Sequence, residues 1–448
     1  MEIVETIRLR GPDRVSYIQD SNFVAIHTLL SMTGEFRDQP ITTDEFVLMY
    51  NGEIYNDYER YRPDYGDADY LVNQIQEHGI EELNHLDGEF SICLKSFTSN
   101  SFYLMTDPFG TKPIYYQVGE DFCLVGTYES TIRASGLSGT IHQVPPNSLV
   151  TIALDDFSIR VKSPMRAFDF THANIDTFET WNHAFAEAIR KRTTNSNHQC
   201  YVCFSSGHDS GVIAAELLAQ HIPFGTYTIP FKEDLIVLEA RLDLLKNRGI
   251  PMEVLTPSEE ELLDMKEFVL KHCDPFLLLN TDSGFQNFPD PDMRKISGCI
   301  GASILFQRAK QQGRLISLSG QGGDEIFSDY YNKHSNPAMS EIRGQWHKVH
   351  GPWQNFYGGW NRVFLGAGER IAGMFGIETR YPLLDFQVVQ EFLNLSPHLK
   401  SSLYKAPITN RLQDLQFPYH ERKMGFAAYD DSQLRQVHSE PQLVGKEG

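Results

Sequence analysis

Residues 204–211 form a short, hydroxyl-rich run that contains one acid. The run follows the apolar residues 200–203 and precedes the helix-like stretch 212–220. A strand, a small-residue loop and a helix start, in that order, direct backbone N–H groups and the positive end of the helix dipole at an anion such as phosphate. An acid among phosphates needs a bridging cation, most naturally Mg²⁺. The residues that we predict to bind phosphate are Ser205, Ser206, Gly207, Asp209 and Ser210, with Asp209 also a metal ligand.

A second loop repeats this arrangement at residues 319–324, directly after the apolar run 315–318. In an open parallel sheet the carboxyl ends of the strands share one edge, and ligands collect there. We therefore expect Asp209 and Asp324 to face the same metal–pyrophosphate unit, with Gly320 and Gly322 beside it. For the first loop taken alone, a Ser-rich turn that only caps a helix is the alternative.

The composition excludes several classes of protein. The chain has 448 residues, of which 41% are hydrophobic, so it can build two or three packed domains. A net charge of -20 argues against a nucleic-acid partner. Six Cys residues do not suggest a disulfide framework, and the pair Cys200 and Cys203 lies in a strand pattern, which favours packing over a redox or zinc role. With no signal peptide and no apolar run of ~18 residues, we expect a cytoplasmic protein without membrane contact.

The element pattern predicts two domains and a tail. Residues 1–165 hold short strand-like runs and one helix near 68–78, which predicts a sheet-rich α+β domain. Residues 166–430 open with a linker-like stretch and then alternate helices with strands, which predicts an α/β doubly wound parallel sheet. Its predicted strands are 201–204, 224–229 and 315–318, and its predicted helices include 235–248, 259–272 and 300–312. Residues 431–448 form a polar tail.

The first loop resembles the Ser-Gly-Gly-x-Asp-Ser pyrophosphate loop of the ATP pyrophosphatases, with Ser206 in place of the first Gly. With its other motifs, the chain resembles the glutamine-hydrolysing asparagine synthetases across essentially its whole length. The motifs that carry this resemblance are Arg10-Gly-Pro-Asp13, Tyr50-Asn-Gly-Glu-Ile-Tyr-Asn56, Leu86-Asp-Gly-Glu-Phe90, Asp107-Pro-Phe-Gly-Thr-Lys-Pro-Ile-Tyr-Tyr116, Leu318-Ser-Gly-Gln-Gly-Gly-Asp-Glu325 and Glu378-Thr-Arg-Tyr-Pro-Leu-Leu-Asp385.

This resemblance implies an N-terminal nucleophile hydrolase-like sandwich followed by an adenine nucleotide alpha hydrolase-like domain. It implies ATP and Mg²⁺ as cofactors, and an AMP-forming ligase that adenylates a carboxylate and transfers it to an amine. The strand that ends near Thr228 matches the one that contacts adenine. The carboxylate and the amine, on small molecules or peptides, stay unidentified, and a homodimer stays open.

The chain departs from the family at the glutaminase end. The family's nucleophile is the Cys after the initiator Met, whereas the first Cys here is Cys93, inside a strand pattern. The segment from His27 to Ser31 lacks the Arg that holds the glutamine carboxylate. Asn51, Gly52 and Asp67 remain as a vestigial glutamine site. We therefore expect no glutamine hydrolysis, as in β-lactam synthetase, carbapenam synthetase and lasso-peptide cyclases.

Three further residues match positions near the family's acyl-transfer chemistry. Gln321 stands where asparagine synthetases have an acid and the β-lactam-forming relatives have Tyr, and an amide orients a nucleophile without taking its proton. Glu378 matches the partner of that Tyr, with pairing to Arg380 in the core as its alternative. Lys423 matches a Lys near the reacting acyl phosphate, with a solvated surface Lys as its alternative.

Ser206 and Gln321 also motivate a different hypothesis, that of a non-catalytic nucleotide-binding or scaffold protein on the same fold. A pyrophosphatase that modifies RNA would conflict with the acidic charge of the chain. ATP binding without pyrophosphate release would favour the scaffold hypothesis over the ligase.

Overall fold

The computed structural model describes residues 2–62, 64–277, 291–331 and 339–420. Lys423 and the predicted tail 431–448 lie outside these ranges. No helix in the described part of the chain is long and apolar enough to cross a membrane.

The N-terminal part is built mainly from antiparallel strands, as the short strand-like runs predict. Its elements are α1 (Glu2–Ile7), β1 (Arg14–Gln19), β2 (Val24–Leu29), β3 (Ile41–Thr42), β4 (Phe46–Ile54), α2 (Asp67–His78), β5 (Gly88–Ser96), β6 (Ser101–Thr106), β7 (Tyr115–Val118), β8 (Cys123–Gly126), α3 (Glu129–Arg133), β9 (His142–Gln143), β10 (Leu149–Ala153) and β11 (Ile159–Lys162). They form a six-stranded sheet in the order β11-β10-β6-β5-β4-β3, a three-stranded sheet β8-β7-β9 and the hairpin β1-β2.

Alternating side chains of the six-stranded sheet build two cores, one on each face. On one face, Leu48, Phe90 and Met105 pack with apolar residues of α2. On the other, Cys93 and Leu104 pack in a cluster that includes residues of the three-stranded sheet. This period-two division gives a layered sandwich.

The C-terminal part alternates helices and strands. Its elements are α4 (Glu179–Lys191), β12 (Cys200–Cys203), α5 (His208–Ala219), β13 (Phe224–Thr228), α6 (Leu235–Asn247), β14 (Met252–Val254), α7 (Glu259–His272), α8 (Ser297–Gln311), β15 (Ile316–Leu318), α9 (Gly323–Phe327), α10 (Gln354–Tyr357), α11 (Gly359–Met374), β16 (Glu378–Arg380), α12 (Phe386–Asn394), α13 (Pro397–Lys400) and α14 (Ala406–Asp414). Local signals fix several boundaries; for example, a capping box of Ser258 and Glu261 starts α7.

All five strands of this part are parallel, in the order β14-β13-β12-β15-β16. From the central strand β12 the chain first winds outward to β13 and β14, and it later returns to β15 and β16. Val202 and Leu318 pack in a core on one face, and Tyr201 and Tyr227 pack in a core on the other. The prediction of a doubly wound sheet is confirmed, and its topological switch point lies between β12 and β15.

Buried ion pairs join the two parts. Arg192, which follows α4, binds Glu89 of β5 (2.9 Å) and Asp385 (2.8 Å). Glu369 of α11 binds both Arg10 (2.5 Å) and Lys112 (2.8 Å). The predicted boundary at 165/166 falls between β11 and α4, but these contacts make the two parts one packed body.

Candidate functional site

The two predicted phosphate loops meet at the switch point of the parallel sheet. The first follows β12 and leads into α5, and the second follows β15 and leads into α9. A Cβ atom on Gly320 would lie 2.6 Å from the Cβ of Asp209, and one on Gly323 would lie 2.2 Å from Asp209 Oδ1. The loops therefore touch so closely that only Gly fits at these two positions.

Asp209 and Asp324 converge on one point, and the ammonium of Lys405 stands there. Lys405 Nζ lies 2.8 Å from Asp209 Oδ1, 2.7 Å from Asp209 Oδ2 and 2.9 Å from Asp324 Oδ1. The Tyr404 hydroxyl donates to Asp324 Oδ1 at 3.0 Å. Burial alone would lower the pKa of Lys405, but the two carboxylates raise it well above its ordinary value. Lys405 therefore stays charged.

Sequence reasoning missed Lys405. It precedes α14 in a left-handed conformation (φ 46°), far along the chain from both loops, and no Gly-rich or strand pattern surrounds it. Its side chain reaches the site because α14 packs on α5, the helix that carries Asp209. Only the tertiary fold brings it there.

The two carboxylates suit Mg²⁺ in number and chemistry. No group of three or more His, Cys, Asp or Glu side chains that could hold a metal is found among the described residues. Mg²⁺ bound with phosphates commonly takes only one or two carboxylates, since phosphate oxygens and water complete its shell. Asp209 and Asp324, which now bind the Lys405 ammonium, would supply these two ligands.

Hydroxyl groups and one Arg fix the shape of the first loop. Ser205 Oγ and Ser210 Oγ lie 2.7 Å apart, and the N–H of Gly207 donates to Ser205 Oγ (3.1 Å). From behind, Arg241 donates to the carbonyls of Ser205 (2.6 Å) and Gly207 (2.8 Å). The carbonyls of the loop therefore point at Arg241, while its N–H groups donate to Ser210 Oγ, Glu233 and Ser205 Oγ.

Ser206 has a specific partner, Glu233. The Glu233 carboxylate accepts the backbone N–H of Ser206 at 2.6 Å and also accepts its hydroxyl. Burial raises the pKa of Glu233, although the hydrogen bonds from Ser206 oppose this. The position where the ATP pyrophosphatase loop has Gly thus carries an added contact.

Three buried polar atoms at this edge have no hydrogen-bond partner among the described residues: Thr228 Oγ1, His208 Nε2 and Gln321 Nε2. Thr228 ends β13, His208 begins α5, and Gln321 lies in the second loop. Burial, with Lys405 nearby, lowers the pKa of His208 to about 3, so this ring is neutral. Unsatisfied buried polar atoms cost about 1–3 kcal/mol each, so the site fits a polar ligand such as ATP.

Glu378 lies away from this edge, at the start of β16. It is buried and accepts a hydrogen bond from Arg380 Nε at 2.6 Å, which is the pairing that the sequence left as an alternative. It also lines a cavity of about 250 Å³ between the two parts of the molecule, together with Asn51, Gly52 and Asp67. The residues predicted to form a vestigial glutamine site therefore share one cavity with Glu378.

This cavity is acidic. Burial raises the pKa of Asp67 to about 6, while the Tyr50 hydroxyl (3.0 Å) and the Ile54 N–H (3.3 Å) bind its carboxylate. The cations that line the cavity each face a carboxylate: Arg10 and Lys112 bind Glu369, and Arg37 binds Asp69 at 2.7 Å.

All six cysteines are free thiols. Burial raises the pKa of Cys93 to about 12. This residue does not line the cavity of Asp67 and Glu378, but it lines a neighbouring cavity that Asn51 also borders. Cys200 and Cys203 pack in the cores on opposite faces of the parallel sheet, so they cannot bridge. The prediction that the CxxC spacing reflects strand packing is confirmed.

Comparison with known proteins agrees with this architecture. The family model of a glutamine amidotransferase domain matches residues 1–155, and that of asparagine synthase matches residues 180–363. An asparagine synthetase (glutamine-hydrolysing) of Arabidopsis thaliana is 23% identical over 424 residues, covering 89% of this chain and 68% of the relative.

A Methanocaldococcus jannaschii protein, also designated an asparagine synthetase (glutamine-hydrolysing), is 26% identical over 410 residues. The match covers 85% of this chain and 71% of the relative. Among solved structures, a glutamine phosphoribosylpyrophosphate amidotransferase from B. subtilis aligns over 96% of this chain and 95% of its own, at 11% identity and a TM-score of 0.31, which is too low to bear on function. The two family matches and the related synthetases show that the chain belongs to the asparagine synthetase family of ATP-dependent amidotransferases and ligases.

Proposed function

We propose that this protein is an AMP-forming amide ligase that does not hydrolyse glutamine. A carboxylate oxygen of one substrate attacks the α-phosphorus of ATP, and the bond to pyrophosphate breaks. An amine of a second substrate, or ammonia, then attacks the acyl carbon, loses a proton and displaces AMP. The observation that carries this proposal is the convergence of Asp209 and Asp324 within 3 Å of one point beside the hydroxyl-rich loop.

The chain's own residues account for the binding of the leaving group. Arg241 keeps the carbonyls of Ser205 and Gly207 turned away from the ligand side. The loop N–H groups and the Ser205 and Ser210 hydroxyls, which pair within the loop and with Glu233, would exchange these partners for pyrophosphate oxygens. Lys405 keeps its proton and can neutralise phosphate charge where the two loops meet. When Asp209 and Asp324 hold Mg²⁺, the Lys405 ammonium would move from these carboxylates to a phosphate oxygen, and the metal would neutralise further charge on the phosphates.

For the amine half of the reaction, we assign Gln321 and Lys423. The Gln321 Nε2 group has a free donor and can orient a substrate, while a general base must come from elsewhere because an amide does not accept protons at neutral pH. Lys423 keeps its proposed place at the acyl phosphate. Glu378, paired with Arg380 in the cavity between the two parts, is proposed to guide the amine rather than to touch ATP.

The acidic cavity supports the absence of glutaminase activity. Its Arg and Lys side chains already face carboxylates. The Cys93 thiol does not line this cavity, and burial in the neighbouring one raises its pKa to about 12, so it is a poor nucleophile. Purified protein should therefore release no glutamate from glutamine, and measurable release would contradict this part of the proposal alone.

Pyrophosphate release tests the ligase directly. The protein is incubated with ATP, Mg²⁺, aspartate and ammonia, and then with panels of amino acids and peptides in place of aspartate. With an accepted carboxylate, ATP–pyrophosphate exchange should be abolished by Asp209→Ala and kept by Asp243→Ala, which removes an exposed acid of α6. Exchange that survives Asp209→Ala would refute the assignment of this loop.

Two contacts in the structure favour the scaffold hypothesis. Lys405 lies between the carboxylates where a metal cation would bind. Glu233 accepts the Ser206 N–H, which a phosphate would otherwise accept, so protein groups already occupy both the cation and the anion positions. Binding of ATP without pyrophosphate release across the whole panel would favour this second candidate.

A further inference from the structure

The Glu233 carboxylate makes the contacts with Ser206 that a phosphate oxygen would make. One oxygen, Oε2, accepts the backbone N–H of Ser206 at 2.6 Å and the Ser206 hydroxyl as well. The Ser206 hydroxyl oxygen in turn accepts the N–H of Asp234 at 3.1 Å. Ser206 therefore ties the segment between β13 and α6 to the first loop by three hydrogen bonds.

Two anions cannot use this position together. A backbone N–H carries one proton and serves one acceptor well, and two negative groups at hydrogen-bond distance from it repel each other. We propose that Glu233 is an internal competitor of pyrophosphate: it leaves Ser206 when the nucleotide binds, and its return helps to expel pyrophosphate after the acyl group is activated. This inference rests on the proposed function of the loop.

The segment that carries Glu233 can move without opening the core. Glu233 is only partly buried, the preceding Lys232 and the following Leu235 are exposed, and Ile236 keeps 83% of its surface exposed. The core contacts of α6 begin at Val237 and Leu238. Arg241, one turn further, interacts with the Glu233 charge but holds the loop carbonyls through hydrogen bonds of its own, so the loop keeps its shape when the carboxylate leaves.

The side chain of Ser206 strengthens the competitor. Its hydroxyl supplies the second hydrogen bond to Glu233, and a Gly at this position would leave only the backbone N–H. The residue that departs from the Ser-Gly-Gly-x-Asp-Ser loop is thus explained by its partner, and the two residues should act as one unit.

Calorimetric titration with magnesium pyrophosphate tests this without any need for catalysis. Glu233→Gln and Glu233→Ala should each bind pyrophosphate about 10-fold more tightly than the unaltered protein, the change expected when a charge-assisted hydrogen bond no longer competes. Glu239→Gln removes an exposed charge on the same helix and should change affinity less than about 2-fold. Ser206→Gly alone should tighten pyrophosphate binding. The same substitution added to Glu233→Ala should leave the pyrophosphate affinity unchanged.

Weaker binding by both Glu233 variants, with normal thermal unfolding, would overturn the inference and make Glu233 a support of the loop. Equal binding by all variants would also overturn it, while leaving the proposed function intact. No binding by any variant would refute both the competitor and the pyrophosphate loop.

Discussion

Replacement of Lys405 by Met should destabilise the protein and make its stability depend on magnesium. Lys405 is 4% exposed, and the side chains of Asp209 and Asp324 are 24% and 23% exposed. At 2.7–2.9 Å and an effective dielectric constant of about 20, each pair attracts by about 6 kcal/mol before desolvation is subtracted. Removing one partner of a buried pair costs about 3–5 kcal/mol, and the partial exposure of the carboxylates places this change near 3 kcal/mol.

Magnesium should restore much of this loss, because the variant leaves two carboxylates aimed at one empty position. At 100 times its dissociation constant, a bound ion adds about 2.7 kcal/mol to the free energy of unfolding. The assay is urea unfolding of the protein and of Lys405→Met, without magnesium chloride and with it at about 100 times its dissociation constant.

Lys400→Met is the matched control. Lys400 is as buried as Lys405, but its Nζ donates to the Leu393 carbonyl (2.7 Å) and makes no ion pair with any described residue. Its loss should cost about 1 kcal/mol and give no response to magnesium. A magnesium response of equal size in both variants would refute the view that Lys405 occupies a cation position.

Two further substitutions test the packing of the two phosphate loops and the ion pairs between the N-terminal and C-terminal parts. Gly323→Ala places a Cβ 2.2 Å from Asp209 Oδ1, so ATP–pyrophosphate exchange should fall by at least about 100-fold, whereas Gly368→Ala, in open space on α11, should leave exchange unchanged; equal effects would contradict the contact. Glu369→Gln should lower the free energy of unfolding by about 3 kcal/mol at neutral pH. Burial opposes ionisation, but Lys112 and Arg10 lower the pKa of Glu369 below its ordinary 4.5, so its contribution is complete above pH 4.5 and is lost as pH falls further. Urea unfolding of the unaltered protein and of Glu369→Gln should show that their free energies of unfolding become more similar from pH 7 to pH 3. A difference in free energy that does not depend on pH would contradict the ion-pair assignment.

The sequence predicts those parts of the site that lie next to strands. The loops with Asp209 and Asp324 each follow an apolar run, and parallel pairing brings the ends of such runs to one edge. Strand β16 was missed because its three residues, Glu378–Arg380, are polar. They are buried by contacts with the N-terminal part, such as Arg380 with Glu53 and the Thr379 carbonyl with Lys112.

Lys405, Arg241 and Glu233 could not be predicted as site residues from the pattern of the sequence. Each lies outside the loops, on or beside a helix, and reaches them through packing that has no local signature. Arg241 reads as an ordinary helical Arg until Gly211 is seen to leave room for it, since a Cβ there would lie 2.4 Å from the guanidinium. The resemblance to asparagine synthetases is confirmed, and it identified the two loops. It did not identify the three residues that contact the loops from outside.

The ion pairs between the two parts bear on what a truncated gene product could do. Without residues 1–165, Glu369 would lose both of its cations and Arg192 would lose Glu89, all at sites that are closed to water in the intact chain. The ligase part expressed alone would therefore carry unpaired charges on a newly wetted surface and should misfold or aggregate. Selection can thus retain the N-terminal part as an intramolecular folding partner even when residues of its own cavity change, because mutations that loosened this part would expose the charges that it now covers.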